Sequence, residues 1–366
     1  MSYIQVASVL GVAMVVTLGV TPLVRLLALR IGLVDRPGGR KVHTKPTPRV
    51  GGVAIFLGFA AAIAVQFGGE IYYGWPGGLS EGRSAVIGCL AGMGVVFVVG
   101  LIDDVVTLNP GAKLMGQLVG AVVVVLSGLR IEFVGNPFGG GLVLLGLLSV
   151  PVTVIYIVAF TNVINLIDGL DGLAAGVSTI AAVSLLVLAI QSNQPDAAVF
   201  AAALIGVCLG FLRHNFSPAS IFMGDSGSML LGFALAAISL LGIMKSVAAI
   251  ALAVPLLIIG VPIFDTASAI IRRLLHRRPI QEADCGHIHH RLLGRGFGQR
   301  QTVLIIYVWS AALAVGGYAM RWSAAPVKLL SFAILALLTG LMAYWLGLFE
   351  AAHLHHHEED PASPEE

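Results

Sequence analysis

The feature that most restricts the fold of this chain is its series of long apolar segments. A helix needs roughly 17 to 25 predominantly apolar residues to cross a bilayer. About eleven such spans are predicted, at 3–29, 51–67, 84–102, 112–127, 148–167, 174–191, 197–212, 227–244, 247–271, 302–320 and 326–348. The chain is 57% hydrophobic and 11% charged, whereas soluble domains carry roughly 25% charged residues. The sequence therefore predicts an all-α, polytopic bundle of membrane-spanning helices.

Two predicted spans, 112–127 and 197–212, are short. The stretch 128–147 contains Pro137 and three consecutive glycines, Gly139 to Gly141, which favours a hairpin that folds back outside the membrane. We assign residues 1–348 to a transmembrane catalytic domain. The polar end of the chain, 349–366, is predicted to be a disordered cytoplasmic tail.

Lysine and arginine indicate the orientation. When the loops are numbered alternately, one set holds 16 of the 21 basic residues. Because cytoplasmic loops carry an excess of Lys and Arg, this set is placed in the cytoplasm, with the N-terminus outside and the C-terminus inside. The net charge of +2 is too small to suggest a nucleic-acid partner. The three cysteines support neither a disulfide framework nor a thiolate zinc site.

Aspartates cluster on the predicted cytoplasmic side. An uncompensated carboxylate costs about 2.5–3.5 kcal/mol at the centre of a spanning helix, so such residues face a protein interior or a wet cavity. Eight of them fall at or near cytoplasmic span ends or in cytoplasmic loops: Asp35, Asp103, Asp104, Asp168, Asp171, Asp225, Asp265 and Asp284. Several acids from separate helices at one depth predict a single acidic site.

The segment FTNVINLIDGLDGLAAG, 160–176, places four polar residues at three-residue intervals: Asn162, Asn165, Asp168 and Asp171. Neighbouring members can share a helix face, but the full row drifts around the helix and cannot converge. Gly169 and Gly172 favour a loop there. Carboxylate and carboxamide oxygens suit Mg²⁺, although helix caps and turns use the same residues.

Two further motifs carry acids. In LIDDVVTLNPGAK, Asp103 and Asp104 point about 100° apart on a helix and therefore do different jobs. Both could stay ionised beside Mg²⁺ or a base such as Lys113, although a capped helix end near Asn109 and Pro110 would also explain the motif.

In NFSPASIFMGDSGS, Asp225 begins an apolar run, where free N–H groups would face an anion. It is the best single candidate for a metal ligand, although Gly-Asp-Ser-Gly could be only a cap. Asn215 offers an amide for hydrogen bonding, and Phe222 offers a face for stacking a base unless its ring belongs to the core.

Two basic segments complete the pattern. In RRPIQEADCGHIHHRLLGR, the histidines at 287, 289 and 290 and Arg291 suggest phosphate binding, with zinc or a plain membrane-surface loop as alternatives. In RKVHTKPTPRVGG, Lys45 and Arg49 supply cations, which anchoring by positive charge would also explain. Together the loops predict a Mg²⁺ and phosphate site on the cytoplasmic face.

The motifs LIDD, NVINLIDGLDGLAAG, FMGDSGS, PIFDT and HIHHRLL, in this order between apolar spans, resemble the polyprenyl-phosphate N-acetylhexosamine-1-phosphate transferase superfamily. The likeness runs from about residue 35 to 300. HIHHRL and PTPRVGG resemble its UDP-GlcNAc:undecaprenyl-phosphate GlcNAc-1-phosphate transferases. The phospho-MurNAc-pentapeptide transferases more typically have three continuous histidines.

The resemblance implies that a UDP-N-acetylhexosamine gives its sugar 1-phosphate to undecaprenyl phosphate, with release of UMP. It implies Mg²⁺, with Mn²⁺ as a substitute, held by Asp225 and Asn165, and with Asp104 as a further candidate ligand. The expected catalytic residues are Asp103, Asp104, Asp168 and His290. The expected substrate-binding residues are Lys45, Lys113, Asp171, Asn215, Phe222, His287, His289 and Arg291.

The resemblance implies that the partners are the UDP-sugar, the lipid phosphate and the bilayer. A homodimer is also possible. The expected location is the bacterial plasma membrane, with the active site on its cytoplasmic face. An ion-coupled transporter is the alternative of another class, because it too would use intramembrane acids and broken helices. Its site would lie near the bilayer midplane, whereas these acids crowd one face.

Overall fold

The computed structural model of this 366-residue chain describes residues 2–35, 46–79, 83–135, 142–243, 260–275, 286–320 and 325–346. Within them the helices are α1 (Tyr3–Ile31), α2 (Gly52–Tyr73), α3 (Ser84–Val106), α4 (Pro110–Leu126), α5 (Ser149–Ile167), α6 (Leu173–Gln191), α7 (Pro195–Asn215), α8 (Gly224–Ile243), α9 (Gly260–Leu275), α10 (Ile288–Gly294), α11 (Gln299–Met320) and α12 (Ala325–Leu346). Two antiparallel strand pairs complete the fold: β1 (Val34–Asp35) with β2 (Thr47–Pro48), and β3 (Phe133–Gly135) with β4 (Leu142–Leu144).

The predicted all-α membrane bundle is confirmed. Eight helices of the described chain are long and apolar enough to cross a membrane: α1, α2, α3, α5, α6, α7, α8 and α11. Each corresponds to a predicted span, including 197–212, which proves to be a helix of 21 residues. Helices α4 and α12 contribute shorter apolar stretches at the predicted positions 112–127 and 326–348.

Some sequence predictions fall wholly or partly outside the described residues. Of the predicted span 247–271, only the part within α9 is described. The predicted tail at 349–366 and the three glycines of the hairpin also lie outside them. The hairpin itself is confirmed by the pairing of Val134 with Val143. It follows the far end of α4, away from the acidic residues.

Helices α7 and α8 form the centre of the bundle and are the most buried of the candidate spans. Helix α7 packs closely on α1 because it carries small residues at the contact. A Cβ atom on Gly206 would lie 2.3 Å from the carbonyl oxygen of Leu10, and one on Gly210 would lie 2.5 Å from that of Met14. The two backbones therefore touch directly.

The ends of several helices bring the acidic residues to one end of the bundle. Asp103 and Asp104 lie in the last turn of α3, Asp168 follows the last residue of α5, and Asp225 lies in the first turn of α8. Helix α8 packs against both α3 and α5. The predicted gathering of distant aspartates is therefore confirmed for these four, whereas Asp265 lies apart from them on α9 and Asp284 lies outside the described residues.

Candidate active site at one end of the helical bundle

Asp104 holds the first turn of α8. Its carboxylate accepts hydrogen bonds from the backbone N–H groups of Asp225 at 2.7 Å and Ser226 at 3.1 Å, and from the Ser226 hydroxyl at 2.5 Å. Helix N-termini leave such N–H groups without partners inside the helix. A side chain of α3 therefore caps α8 and fixes the position of Asp225.

Gly224 makes this cap sterically possible. Its φ is +72°, and a Cβ atom there would lie 2.0 Å from the Arg49 carbonyl oxygen and 2.5 Å from the Asp104 carboxylate. Glycine adopts this conformation without steric cost. The glycine before Asp225 is therefore required by the close approach of two other segments.

The segment 46–52 supports the same turn. Phe222 N donates to the Pro48 carbonyl at 2.7 Å, and Gly52 N donates to the Met223 carbonyl at 2.8 Å. Arg49 Nε donates to the backbone carbonyl of Asp104 at 3.0 Å. Arg49 is thus part of the framework of the site, beyond the anchoring role that its charge alone would suggest.

Lys113 joins three helices at one point. Its Nζ lies 2.9 Å from Oδ2 of Asp103 and 2.5 Å from Oδ2 of Asp225. Asp103 Oδ1 also accepts from the N–H of Leu108 at 2.7 Å. The expected base beside the paired acids is therefore present, and it links α3, α4 and α8.

Asp103 and Asp104 do different jobs, as their adjacency predicts. The first carboxylate faces Lys113, whereas the second faces the start of α8. Both side chains are buried, but only Asp104 lines the cavity described below. The predicted helix cap near Asn109 and Pro110 is also present, because the Asn109 side chain accepts from Ala112 N at the start of α4.

The polar residues of 160–176 separate, as predicted from the drift of the row. Asn162 Nδ2 donates to Gln117 Oε1 of α4 at 2.6 Å. Asn165 Nδ2 donates to Oδ1 of Asp225 at 2.6 Å. Asn162 therefore joins two helices, whereas Asn165 belongs to the acidic site.

Asp168 and Asp171 lie in the turn between α5 and α6. Asp171 Oδ2 accepts from Ala219 N at 2.9 Å. Asp168 lines the cavity and makes no hydrogen bond or ion pair with any residue in the described ranges. Burial, followed by the negative charges of Asp225, Asp104 and Asp171, raises the pKa of Asp168 to about 8. A cation in the cavity would counteract this rise.

Asn215 holds the same turn in place. Its Oδ1 accepts from Gly172 N at 3.0 Å, and its Nδ2 donates to the Ile221 carbonyl at 3.0 Å. Tyr307 of α11 donates to the Gly172 carbonyl at 2.5 Å. Asn215 therefore has a structural role. It also lines the cavity, and its contact with substrate stays a prediction.

The histidine segment reaches the cavity through one residue. His290 lines the cavity, whereas His287 and His289 are buried behind it. Arg291 donates to the carbonyls of Gly286 and Leu346. Burial, followed by the positive charge of a protonated His290, lowers the pKa of His289 to about 3, so this ring is neutral.

One cavity of about 390 Å³ unites the site. It is lined by eight predicted residues, Asp104, Asn165, Asp168, Asp171, Asn215, Phe222, Asp225 and His290. Lys113 contacts the lining residue Asp225, and Asp103 contacts Lys113 in turn. The predicted residue Lys45 lies outside the described residues.

Seven lining residues were not among the predicted site residues, and three of these have charged or polar side chains: Asp35, Arg49 and Gln299. The position of Asp35 among the cytoplasmic acids was the signal that could have identified it. Gln299 Oε1 accepts from the Ser217 hydroxyl at 3.0 Å, a contact across the fold that gives no local sequence signal.

The donor set fits a magnesium ion that binds together with a phosphate ligand. Among the described residues, no three Asp, Glu, His or Cys side chains are grouped closely enough to enclose a metal. The histidines therefore give the zinc alternative no support there. Mg²⁺, in contrast, is usually bound through one or two carboxylates plus substrate phosphates and water. Asp225, with Asn165 beside it and Asp168 facing the same cavity, supplies such a set.

The sequence is similar to known proteins over most of its length. Residues 86–243 match the family described as Glycosyl transferase family 4. The chain is 39% identical, over 92% of its length and 91% of the relative, to a probable undecaprenyl-phosphate N-acetylglucosaminyl 1-phosphate transferase of Bacillus subtilis. It is 38% identical to a decaprenyl-phosphate N-acetylglucosaminephosphotransferase of Mycolicibacterium smegmatis, over 83% of this chain and 79% of the relative. It is 34% identical to a phospho-N-acetylmuramoyl-pentapeptide-transferase of Desulforudis audaxviator, over 84% of this chain and 96% of the relative.

Proposed function

This chain belongs to glycosyl transferase family 4, and on that basis we propose that it transfers N-acetylglucosamine 1-phosphate from UDP-N-acetylglucosamine to undecaprenyl phosphate. UMP is the second product. The reaction would be the first membrane step in the synthesis of a cell-envelope glycan. The enzyme is a multi-pass membrane protein, and its site would face the cytoplasm of a bacterial cell, where nucleotide sugars are available.

The single observation that carries the proposal is the convergence on Asp225. Asn165 of α5 and Lys113 of α4 both contact its carboxylate, and Asp104 of α3 caps the turn that holds it. Four helices therefore meet at one carboxylate beside a cavity that opens at the end of the bundle. Such a constellation suits transfer of a phosphoryl group, in which positioning and charge stabilisation supply most of the catalysis.

In the proposed reaction an oxygen of the lipid phosphate attacks the β-phosphorus of the UDP-sugar. The bond between that phosphorus and the bridging oxygen breaks, and UMP leaves with the electron pair. The lipid phosphate is already an anion, so no side chain has to act as the nucleophile. Direct attack therefore needs fewer steps than a covalent enzyme intermediate.

The residues of the chain would divide this work. Asp225 would hold the metal ion, with Asn165 as the second predicted ligand. Mg²⁺, or Mn²⁺ in its place, would neutralise the diphosphate oxygens and the departing UMP. Lys113 would place a positive charge beside the reacting phosphates, and Asp103 would orient Lys113 and, through it, the lipid phosphate.

The remaining cavity residues would bind the nucleotide and the sugar. Phe222 offers a ring on which uracil can stack. Asp171 and Asn215 line the same cavity, in and against the turn that follows α5. His290, in the first turn of α10, also lines the cavity and would contact phosphate or sugar oxygens.

Similarity favours N-acetylglucosamine over the muramoyl pentapeptide as the sugar. The Bacillus relative is more similar to this chain than the pentapeptide transferase, at 39% against 34% identity. The H-I-H-H order agrees with that choice. The transporter alternative is disfavoured, because the acids lie at helix ends at one end of the bundle and transporter sites usually lie near the bilayer midplane.

The test is an assay of the purified full chain in detergent with UDP-N-acetylglucosamine, undecaprenyl phosphate and Mg²⁺. UMP release and a lipid-linked sugar diphosphate are expected, and omission of the lipid phosphate should abolish both. UDP-N-acetylgalactosamine and UDP-MurNAc-pentapeptide in parallel reactions would identify the sugar. Absence of UMP with every donor would refute the proposal.

A further inference from the structure

We propose that Asp265 of α9 is a positioning residue that sets the H-I-H-H segment in register, so that His290 reaches the cavity. This inference rests on the proposed function, because it assigns His290 to the same reaction. Asp265 does not line the main cavity. Its effect on turnover would therefore pass entirely through the histidine segment.

Asp265 contacts the start of α10 with both carboxylate oxygens. Its Oδ2 lies 3.0 Å from Nδ1 of His287, and its Oδ1 accepts from the N–H of Ile288 at 2.8 Å. An ionised carboxylate can only accept hydrogen bonds, so Nδ1 of His287 carries the proton. One side chain of α9 therefore fixes both the ring orientation and the backbone of the segment.

Neighbouring histidine rings connect this contact to the cavity. The rings of His287 and His289 are nearly parallel, with their centroids 5.8 Å apart, and the centroids of His289 and His290 are 4.3 Å apart. Gly169 leaves room for His289, since a Cβ atom there would lie 2.7 Å from Nε2 of the ring. A displacement of His287 would therefore be transmitted to His290.

Arg272 adds a second contact from the same helix. It lies seven residues after Asp265, close to two helical turns, and thus on the same face of α9. Its buried guanidinium lies against Gly286, where a Cβ atom would be 2.4 Å from Cζ. Helix α9 therefore holds the segment immediately before α10 at two successive places.

Asp265 is buried in largely apolar surroundings, where a carboxylate is costly unless it is hydrogen-bonded. Ile167, Leu173, Val261, Ile288 and Ile306 surround it in a small pocket together with His289. Replacing a buried ionic contact with well-packed apolar side chains is often neutral or stabilising. The carboxylate at this position is therefore explained by the geometry that it imposes on the histidines.

The first test measures turnover in variants of the full chain. Asp265→Asn keeps the size of the side chain, but its amide N–H₂ group either faces Ile288 N or forces His287 into the tautomer with an unprotonated Nδ1. We expect kcat to fall about ten- to hundredfold with little change in KM for the UDP-sugar, by analogy with the loss of the hydrogen-bond partner behind a metal-ligating histidine. Asp265→Glu should recover part of the loss. In a His290→Asn background, Asp265→Asn should add almost no further loss, because both changes act through the same ring.

Ser268→Ala is the matched control. Ser268 is equally buried one turn further along α9, and its hydroxyl donates to the Asp265 carbonyl within the same helix. This variant should keep the wild-type kcat. Losses that multiply in the Asp265→Asn/His290→Asn double variant, or a Ser268→Ala variant as inactive as Asp265→Asn, would overturn the proposal.

A second measurement needs no turnover. Amide hydrogen exchange of the peptide covering 286–294 should accelerate in Asp265→Asn and stay at the wild-type rate in Ser268→Ala. Unchanged exchange in Asp265→Asn would overturn the positioning role even if the enzyme is active. Absence of UMP release by the wild-type chain would instead refute the proposed function and leave the exchange result to decide the positioning.

Discussion

The ammonium group of Lys113 lies 2.5 Å from the carboxylate of Asp225, the residue that we propose as the principal metal ligand. Both side chains are only about one quarter exposed, at 26% and 25%, so water screens the pair incompletely. Lys113 and a divalent cation would therefore compete for the same oxygens. The lysine would be expected to turn towards substrate phosphate when the ion binds.

Replacing Lys113 by Met should strengthen metal binding while it abolishes turnover. A unit charge about 4 Å away is worth about 1 kcal/mol in water and about 4 kcal/mol near a protein surface, so Mn²⁺ should bind at least about fivefold more tightly. Electron paramagnetic resonance of free Mn²⁺, without nucleotide, measures this. Arg83→Gln removes a positive charge that is paired with Asp196 instead of the acidic cluster, and it should leave Mn²⁺ affinity unchanged. Weaker Mn²⁺ binding by Lys113→Met would contradict the competition.

Asp103→Asn should abolish turnover while the UDP-sugar still binds. Asp103 faces Lys113 and Leu108 N and does not line the cavity, so its loss should disturb the lysine more than the nucleotide. Titration calorimetry with UDP-N-acetylglucosamine and an assay of UMP release separate the two effects. Turnover at the wild-type rate would reject the role of Asp103.

Asp104→Ala should destabilise the protein, because it leaves the N-terminus of α8 without its cap. Removing a buried hydrogen-bond partner costs about 1–3 kcal/mol for each group left unsatisfied, and three donors face this carboxylate. Thermal unfolding in detergent should show a clear fall in Tm, and Asp104→Asn should fall less because its amide oxygen still accepts. An Asp104→Ala variant with the wild-type Tm would show that the cap contributes nothing.

These contacts also show what the sequence could and could not predict. Apolar runs define the spans. Because an ionised carboxylate is unfavourable in lipid, Asp103, Asp168 and Asp225 are predicted to gather in one place. Their adjacency alone predicts that Asp103 and Asp104 diverge. Each of these inferences depends on local spacing or on the properties of a bilayer.

The contacts between distant segments could not be predicted in the same way. Asp104 caps a helix that begins more than a hundred residues later, and Asp265 holds a histidine on another segment. In the sequence, an aspartate that binds a metal cannot be distinguished from one that caps a helix or orients an imidazole. Only the packing of α3 on α8 and the contact of Asp265 with the start of α10 decide among these roles.

The buried His289 should make the protein sensitive to acid. The pKa of this ring is lowered from 6.5 to about 3 in the folded chain, so the unfolded chain binds a proton that the folded chain does not. This contribution to stability is complete above pH 6.5 and is lost as the pH falls towards 3, by up to about 1.4 kcal/mol per pH unit. His289→Phe should reduce the slope of Tm against pH between 6.5 and 4. An unchanged slope would contradict a neutral, buried ring.

Mg²⁺ and UDP should bind cooperatively, because neither finds a complete site alone. No group of three metal-binding side chains is present among the described residues, so Mg²⁺ by itself should bind weakly, because it needs several waters or phosphate oxygens to complete its coordination. A diphosphate that supplies the missing oxygens should strengthen metal binding, and thermodynamic linkage requires Mg²⁺ to strengthen UDP binding by the same factor. Titration calorimetry of UDP with and without Mg²⁺ measures that factor, and Asp225→Asn should remove it while UDP still binds weakly through the cavity. Micromolar binding of Mg²⁺ to the nucleotide-free chain would show instead that the protein encloses the ion by itself, and the shared site proposed for Asp225 would be wrong.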